Sequence, residues 1–439
     1  MDPAFSILGK IFKMGFQPST VTLNTLLKGL CISNMVGEAL DFHDELIAKG
    51  LFLNGVSYGT LINGLCKMGK TRSAVKLLRR LPRLAVKPDV VMYSTVIDGL
   101  CKDGFASEAH GLFSEMIDQG IFPNTVTYSS LIDGFCKRHQ WKEVTQLLNH
   151  MSHSGINMNV ITLNILMDAF CKAGRIIEAQ TVFAKIMKID LKPNVFSHNI
   201  LIAGYCMINN VQEASEVLNM MMKSGLRPDI FSYTILIEGY CKNKRLDEAI
   251  YLFKEMRSRN LVLNTVSYNS LIGGLCKAGR ISFVRDLLNE MNHMGLPPDI
   301  VTYNMLLHAL CKRQELDRAI ALFERIVREE MRPTAYTYNI LMDGLCTGGR
   351  LYKAREIFQY LLMEGRHVDV VSYNVMIKGL CKEGLFDEAK ALLDKMEDNG
   401  LLPNIFTFKA IIGHLLDRNE DEKAEKLLHK IVSTDVSFK

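Results

Sequence analysis

Cysteine is the residue type in this chain best equipped for covalent or metal chemistry, and its spacing is unusual. Cys31, Cys66, Cys101, Cys136, Cys171, Cys206, Cys241, Cys276, Cys311, Cys346 and Cys381 follow one another at a constant 35 residues. Disulfides, zinc sites and nucleophilic thiolates have no use for such a comb. No Cys-x-x-Cys pair offers half of a zinc site, and equivalent residues of stacked helical units lie roughly 9–10 Å apart, too far for a disulfide. The cysteines read instead as small buried apolar residues in a reducing compartment. Two other constellations lose their chemistry in context. Gly64-Leu-Cys-Lys-Met-Gly69-Lys70-Thr71 matches a phosphate-binding loop, but that loop works only between a strand and a helix, and here it spans a helix end and a turn. His150 and His153 have no further ligand in reach along the chain and read as surface histidines. Carboxylates such as Glu248 and Glu255 read as solvated helix faces with i, i+4 partners. No catalytic residue, metal or cofactor is expected, and the chain does not read as an enzyme.

A constant interval of this size signals a tandem repeat. Twelve units of 35 residues, from 20–54 to 405–439, follow without insertion or deletion. In unit 90–124, Tyr93, Val96, Ile97, Leu100 and Cys101 mark one face of a helix. Gly104 ends that helix in the left-handed region. Ala109, Leu112, Phe113 and Met116 mark a second helix, which stops near Gly120 before Pro123. The turn glycine recurs as Gly69, Gly174, Gly279, Gly349 and Gly384, with Asn34, Asn209 and Asn419 in its place elsewhere. Alanine recurs early in the second helix, as in Ala39, Ala179, Ala249 and Ala389, where a small residue lets two helices approach. No strand pattern appears. The expectation is an all-α solenoid of helix-turn-helix units, growing in one dimension without a single central core. Residues 1–19 read as a partial repeat carrying a second helix, with 1–5 as a cloning remnant. Residues 20–404 form eleven complete units, and 405–439 caps the stack. Hydrophobic residues make up 48% of the chain, yet no apolar run reaches the ~18–20 residues of a membrane span. The net charge of +5 is only weak support for a nucleic-acid partner.

Two helix-hairpin repeat families share this architecture. Tetratricopeptide repeats have a 34-residue period with a Trp, Leu-Gly, Tyr signature; here the only tryptophan is Trp141. The segments Val301-Thr-Tyr-Asn304 to Cys311-Lys312, Val371-Ser-Tyr-Asn374 to Gly-Leu-Cys-Lys382, and Leu246-Asp-Glu-Ala249 resemble pentatricopeptide repeats of the plain 35-residue class. The resemblance covers all of 20–439. Val56-Ser-Tyr-Gly59 through Ile62-Asn-Gly-Leu-Cys-Lys67, and the mutual similarity of units, are similar to the restorer-of-fertility-like subgroup of land plants. This resemblance implies a right-handed superhelix that binds single-stranded RNA, about one base per repeat, through two or three side chains. It further implies a mitochondrial transcript (chloroplast being the alternative) and an influence on processing, stability or translation through occupancy or recruited factors.

In the family, bases are read by the fifth residue of a unit together with the last residue of that unit. Here the pairs are Asn24 with Asn54, Gly59 with Asp89, Ser94 with Asn124, Ser129 with Asn159, Asn164 with Asn194, Asn199 with Asp229, Thr234 with Asn264, Asn269 with Asp299, Asn304 with Thr334, Asn339 with Asp369, and Asn374 with Asn404. Amides and hydroxyls offer directional donors and acceptors to a base edge, although the same residue types also cap helices. By the family's rules Asn with Asp selects U, Asn with Asn selects C or U, and Ser or Thr with Asn selects A. The tract is then 5′-YNAAYUAUYUY-3′, where Y is a pyrimidine and N is undetermined. Gly59 has no side chain to read a base, Thr334 is off-pattern, and Lys409 with Lys439 is no recognised pair.

The second residue of every unit is apolar: Val21, Val56, Val91, Val126, Ile161, Phe196, Phe231, Val266, Val301, Tyr336, Val371 and Phe406. In the family these side chains sandwich bases, a use of the flat base face; ordinary core packing also fits. Lysine follows the cysteine as Lys67, Lys102, Lys137, Lys172, Lys242, Lys277, Lys312 and Lys382, while Ile32, Met207 and Thr347 break the series. Such a ladder suits a phosphate backbone, and a cation also suits a helix C-terminus. A protein-interaction scaffold of the tetratricopeptide kind is the alternative function, but it gives no reason for polar pairs and lysines in register. An RNA-processing enzyme whose catalytic domain was removed is another.

Overall fold

Each unit folds as a hairpin because its chain carries start and stop signals at fixed places. The computed structural model describes residues 2–51, 53–189, 191–363 and 368–417; Asn419, Lys439 and the remainder of the expected capping unit lie outside them. The described residues hold 24 α-helices, one short 3-10 turn and no strand. They divide into two bodies, Met1–Pro228 and Asp229–Lys439. In the first body, Asp2–Lys13 precedes the first helices Thr20–Ile32, Gly55–Lys67, Val90–Lys102, Thr125–Lys137, Val160–Lys172 and Val195–Met207. The second helices between them are Val36–Ala48, Thr71–Arg80, Ala106–Asp118, Trp141–His153, Ile176–Lys188 and Val211–Lys223. In the second body the first helices are Ile230–Lys242, Thr265–Lys277, Ile300–Lys312, Ala335–Thr347, Val370–Lys382 and Ile405–Asp417. Leu246–Ser258, Ile281–His293, Leu316–Arg328, Leu351–Met363 and Phe386–Asp398 are the second helices.

First helices start from an extended polar residue. Asn124, for example, accepts from the Thr127 backbone N–H while the Thr127 side chain satisfies the Asn124 backbone N–H, a capping box. They stop where the chain turns left-handed, as at Gly104 (φ 83°), Asn34 (φ 60°) and Asn209 (φ 61°). Three units hold the same conformation with other residues, His139, Lys244 and Gln314, so the hairpin packing outweighs their local preference. One unit departs from the expected plain helix. Its second helix ends early, at Arg80, and a 3-10 turn runs over Leu81–Leu84. Pro82 explains this, because its ring has no N–H to donate and clashes within a helix.

Within each body consecutive first helices lie side by side, and the cysteine comb sits in that seam. The tenth residue of most units is glycine, facing the cysteine of the preceding unit. A Cβ on Gly64 would come within 2.6 Å of Cys31 Sγ, and one on Gly134 would come within 2.5 Å of Cys101 Sγ. At Gly204, Gly274, Gly344 and Gly379 it would overlap the sulfur more deeply. Ala169 and Ala309 occupy this position in two units and are themselves buried, so a single methyl is accommodated there. The thiols are held as inert packing: burial, helped by nearby carboxylates, pushes Cys101 and Cys346 up to about 12, and burial alone does so for Cys276. All the cysteines are free.

A second contact ties units together. The fourth residue is often a fully buried tyrosine whose ring meets, edge-on, a phenylalanine from the preceding second helix. Phe253 and Tyr268 lie 5.1 Å apart, and Phe358 and Tyr373 5.2 Å; such pairs add roughly 0.5–1.5 kcal/mol beyond burial. The hydroxyl is satisfied at the surface, as Tyr93 is by Gln119 at 2.9 Å and Tyr268 by Glu290 at 2.7 Å. The early alanines Ala39, Ala179, Ala249 and Ala389 are completely buried. The phosphate-loop match also dissolves into this packing: Gly64 faces Cys31, Gly69 is the left-handed turn, and Thr71 donates to Asp103 at 2.6 Å. His150 contacts Tyr128 OH at 2.6 Å and His153 its own helix at Asn149 O.

The seam predicts a specific coupling. Gly274→Val overpacks it and should cost about 1–3 kcal/mol in urea unfolding. In a Cys241→Ala background the penalty should shrink; an equal penalty in both backgrounds would show that the sulfur is not what the new side chain meets.

Candidate nucleic-acid interface

The second, fifth or sixth, ninth and thirteenth residues of a first helix share one face, being three or four residues apart. That face carries the apolar series, the polar pairs and the lysines.

The second residues are exposed throughout, from 48% at Val301 to 71% at Val21. Core packing is therefore excluded for all twelve. Large apolar side chains, including Phe196, Phe231, Tyr336 and Phe406, stand in solvent at a regular interval, a pattern that marks an interaction surface rather than a scattered residue.

The fifth residues lie one turn deeper. Asn164, Asn199, Asn269, Asn304, Asn339, Ser94, Ser129 and Thr234 are buried, while Asn24 and Asn374 are half-buried. The structure brings four expected pairs into direct contact. The fifth-residue amide donates to the last residue's Oδ1 at 3.3 Å in Asn24–Asn54, Asn269–Asp299 and Asn339–Asp369, and at 3.1 Å in Asn374–Asn404. Each last residue is at the same time the N-cap of the next first helix. These last residues thus pair with the fifth residue of their own unit while capping the next helix.

Sequence reasoning passed over a third partner. The third residue of the following unit is a serine or threonine everywhere except Met92, and from Ser57 onward it is almost completely buried. Its hydroxyl bridges the pair: Thr302 reaches Asn269 Oδ1 at 2.7 Å and Asp299 Oδ1 at 2.8 Å. Ser372 bridges Asn339 and Asp369 in the same way, at 2.8 Å to each. Where the fifth residue is serine the contact persists, 2.7 Å for both Ser94–Thr127 and Ser129–Thr162. Thr127 and Thr162 in turn donate to Asn124 and Asn159. The signal was available as a polar residue recurring at a 35-residue interval on an otherwise apolar face.

Not every pair closes. Thr234 donates back to its own helix at Ile230 O. The side-chain oxygens of Asn164 and Asn304 are buried with no partner among the described residues, an arrangement that is costly unless something else satisfies them. Asn194 and Asn264 cap their helices with full capping boxes, and the off-pattern Thr334 does the same with Thr337. Asn199 and Asp229 belong to different bodies; Asp229 caps its own helix through Ser232. Beside Gly59 a side chain would meet open space, and Asp89 there caps Met92 alone.

The carboxylates of Asp299 and Asp369 are ionised. Burial alone pushes them up, but hydrogen bonds from the third residue and from the paired asparagine outweigh it and hold them below the usual range.

The lysines occupy the last turn of their helices. Lys102, Lys137 and Lys172 pair with Asp98, Asp133 and Asp168 at 2.6 Å each. Lys382 donates to Thr347 O. Lys67, Lys242, Lys277 and Lys312 form no ion pair among the described residues. The three pairs are largely exposed, so each is worth little and can be exchanged for another anion.

A recurring set of exposed apolar residue, polar pair and cation, carried on stacked helical hairpins, defines a modular helical-repeat protein. The PPR repeat family matches at 18–67, 53–102, 88–137, 123–172, 158–207, 193–242, 228–277, 263–312, 298–347 and 368–417, and a PPR repeat matches at 336–366. The chain belongs to the pentatricopeptide repeat family. A mitochondrial pentatricopeptide repeat-containing protein of Arabidopsis thaliana is 51% identical over 37 residues, 8% of this chain and 6% of that protein's length. Similar solved structures include maize PPR10, at 20% identity and TM-score 0.44, covering 98% of this chain and 76% of that one. Yeast Rmd9p, solved with a 16-nucleotide target RNA, has 13% identity and TM-score 0.45, covering 95% and 97%. Among the described residues no helix is long and apolar enough to cross a membrane.

Because Phe231 is exposed, Phe231→Ala should leave thermal unfolding within about 0.5 kcal/mol of the parent. It should weaken binding of a base-bearing ligand by about 1–3 kcal/mol, measured by titration calorimetry.

Proposed function

We propose that the chain binds single-stranded RNA in a sequence-specific way, about one base per unit. The observation that carries this reading is the polar pair, hydrogen-bonded in four units and held at the foot of an exposed apolar residue. The apolar second residues pack against the flat faces of the bases. The fifth and last residues face the base edge with directional groups, and the lysines follow the phosphates. The tract is 5′-YNAAYUAUYUY-3′. The unit with Gly59 contributes no base contact, in keeping with the open space beside it.

The action proposed is occupancy rather than catalysis. A bound tract blocks ribosomes or exonucleases, or holds local RNA structure open, and other factors are recruited to it. The family resemblance and the mitochondrial relative point to an organellar, mitochondrial transcript.

The test is binding to a synthetic RNA with this tract, beside a scrambled RNA and the matching DNA, at two salt concentrations. Preference for the predicted RNA is expected. Equal weak binding to all three would sink the sequence-specific reading and favour a protein scaffold. Exchanging one pair, Asn269→Thr with Asp299→Asn, should move preference at a single base from U toward A.

Salt dependence adds a separate check. Eight phosphate contacts would give a slope of log affinity against log salt of about −5 to −6. Replacing Asp98, Asp133 and Asp168 by Asn frees three lysines. If those lysines stay with their aspartates in the parent complex, the variant's slope should steepen by about 2; an unchanged slope would mean that RNA already displaces the aspartates.

A further inference from the structure

We infer that, where it reaches the fifth residue of the preceding unit, the buried hydroxyl at the third residue of the following unit sets the amide orientation of that fifth residue, and so selects the base edge it accepts. This rests on the base-reading proposal above and assigns a positioning residue to it.

Few arrangements of protons are open to Asn269, Asp299 and Thr302. Asp299 is ionised and can only accept. It receives the Thr302 backbone N–H at 2.9 Å and the Asn269 amide at 3.3 Å. An Asn269 turned over by 180° would aim its carbonyl at this carboxylate, oxygen against oxygen. The Thr302 hydroxyl lies on the other side, 2.7 Å from Asn269 Oδ1. It carries one proton, so it supports the carbonyl when it donates there and the carboxylate when it donates to Asp299 instead. With both neighbours present, the Asn269 NH2 faces Asp299 and its carbonyl faces Thr302. One N–H and one lone pair are left for a base, in fixed places. Asn339, Asp369 and Ser372 repeat the arrangement.

The same network accounts for the looser pairs. In Asn374–Asn404 the last residue is itself an amide, and Thr407 again reaches both. Asn404 itself is fixed, because its Oδ1 accepts the Phe406 and Thr407 backbone N–H groups at 3.0 and 3.2 Å. Its oxygen is uncharged, however, and opposes a turned-over Asn374 carbonyl less than a carboxylate would, with Thr407 then accepting from Asn374 instead of donating. The orientation of Asn374 is set less strictly, and two pyrimidines are accepted. Aspartate, with its full charge, removes the second presentation. Serine as the fifth residue has no amide to orient, but Ser94 and Ser129 still meet a hydroxyl in the same place. The chain also contains its own deletion: the unit without a fifth side chain, at Gly59, is followed by the unit whose third residue is Met92. Where there is nothing to orient, the hydroxyl is gone.

The experiment uses the full chain with Thr302→Val, which keeps the shape and removes the hydroxyl, and Thr302→Ser, which keeps it. Affinities are measured for RNAs carrying U or C at the base assigned to Asn269, and at the base assigned to Asn339 as an internal control. Thr302→Val should lower U-over-C preference about five- to tenfold at the first base and leave the second unchanged, while Thr302→Ser keeps both. Loss of stability with both preferences intact would overturn the inference and leave a simple cap. The side-chain amide signals of Asn269 in RNA-free protein provide the separating measurement. One slowly turning NH2 is expected in the parent, and an averaged or doubled one in Thr302→Val. A parent without U preference would overturn the base-reading proposal, and these spectra would then decide the orientation alone: unchanged Asn269 signals in Thr302→Val would overturn that as well.

Discussion

The close approach of neighbouring first helices is the constraint on which the rest depends. It exists because the tenth residue is usually glycine and the cysteine two positions on is small, so the sulfur of one unit seats against the backbone of the next. A larger residue at either place would push the helices apart. The hydroxyl at one unit's third residue would then no longer reach the preceding unit's fifth residue, whose hydrogen bonds tolerate only a few tenths of an ångström. The cysteine comb, the most conspicuous feature of the sequence, thus has no chemistry of its own; its buried thiols stay protonated. It sets the spacing at which other residues can act together.

Given that spacing, four of the polar pairs become small closed networks. The last residue caps the next helix, the third residue of that helix completes the cap, and the fifth residue of the preceding helix joins both. Local structure and the candidate site are therefore one set of bonds. The residues proposed to face the base cannot sag or rotate without loosening a helix start. This is how a surface made of asparagine and serine, otherwise mobile, can present donors and acceptors at defined positions. A proposed reader of bases needs such preorganisation, since a hydrogen bond that must first be assembled discriminates poorly.

Electrostatics plays the lesser part. The chain is only mildly basic, and three of the eight lysines are already answered by aspartates one turn away. Such a face attracts polyanions weakly. Any selectivity must come from the apolar second residues and the polar network.

The sequence by itself determined the repeat, its period and the helix-turn-helix plan, because these depend on periodicity and on residues near one another in the chain. It also singled out the second, fifth, last and thirteenth residues as series. Even the pairing of Lys102 with Asp98 was readable, as an i, i+4 neighbour. Whether Val21 or Phe231 faces a core or solvent was not readable, since a helix packed on several sides buries apolar residues in more than one direction. Nor was the bridging role of Thr302 and Ser372, whose recurrence marks a polar series without showing which residues it joins. Those two answers depend on how far apart neighbouring helices stand and how each is turned about its axis. Only the tertiary structure decides that, because the contacts that set it join residues 33 positions apart, and spacing along the chain carries no measure of distance across it.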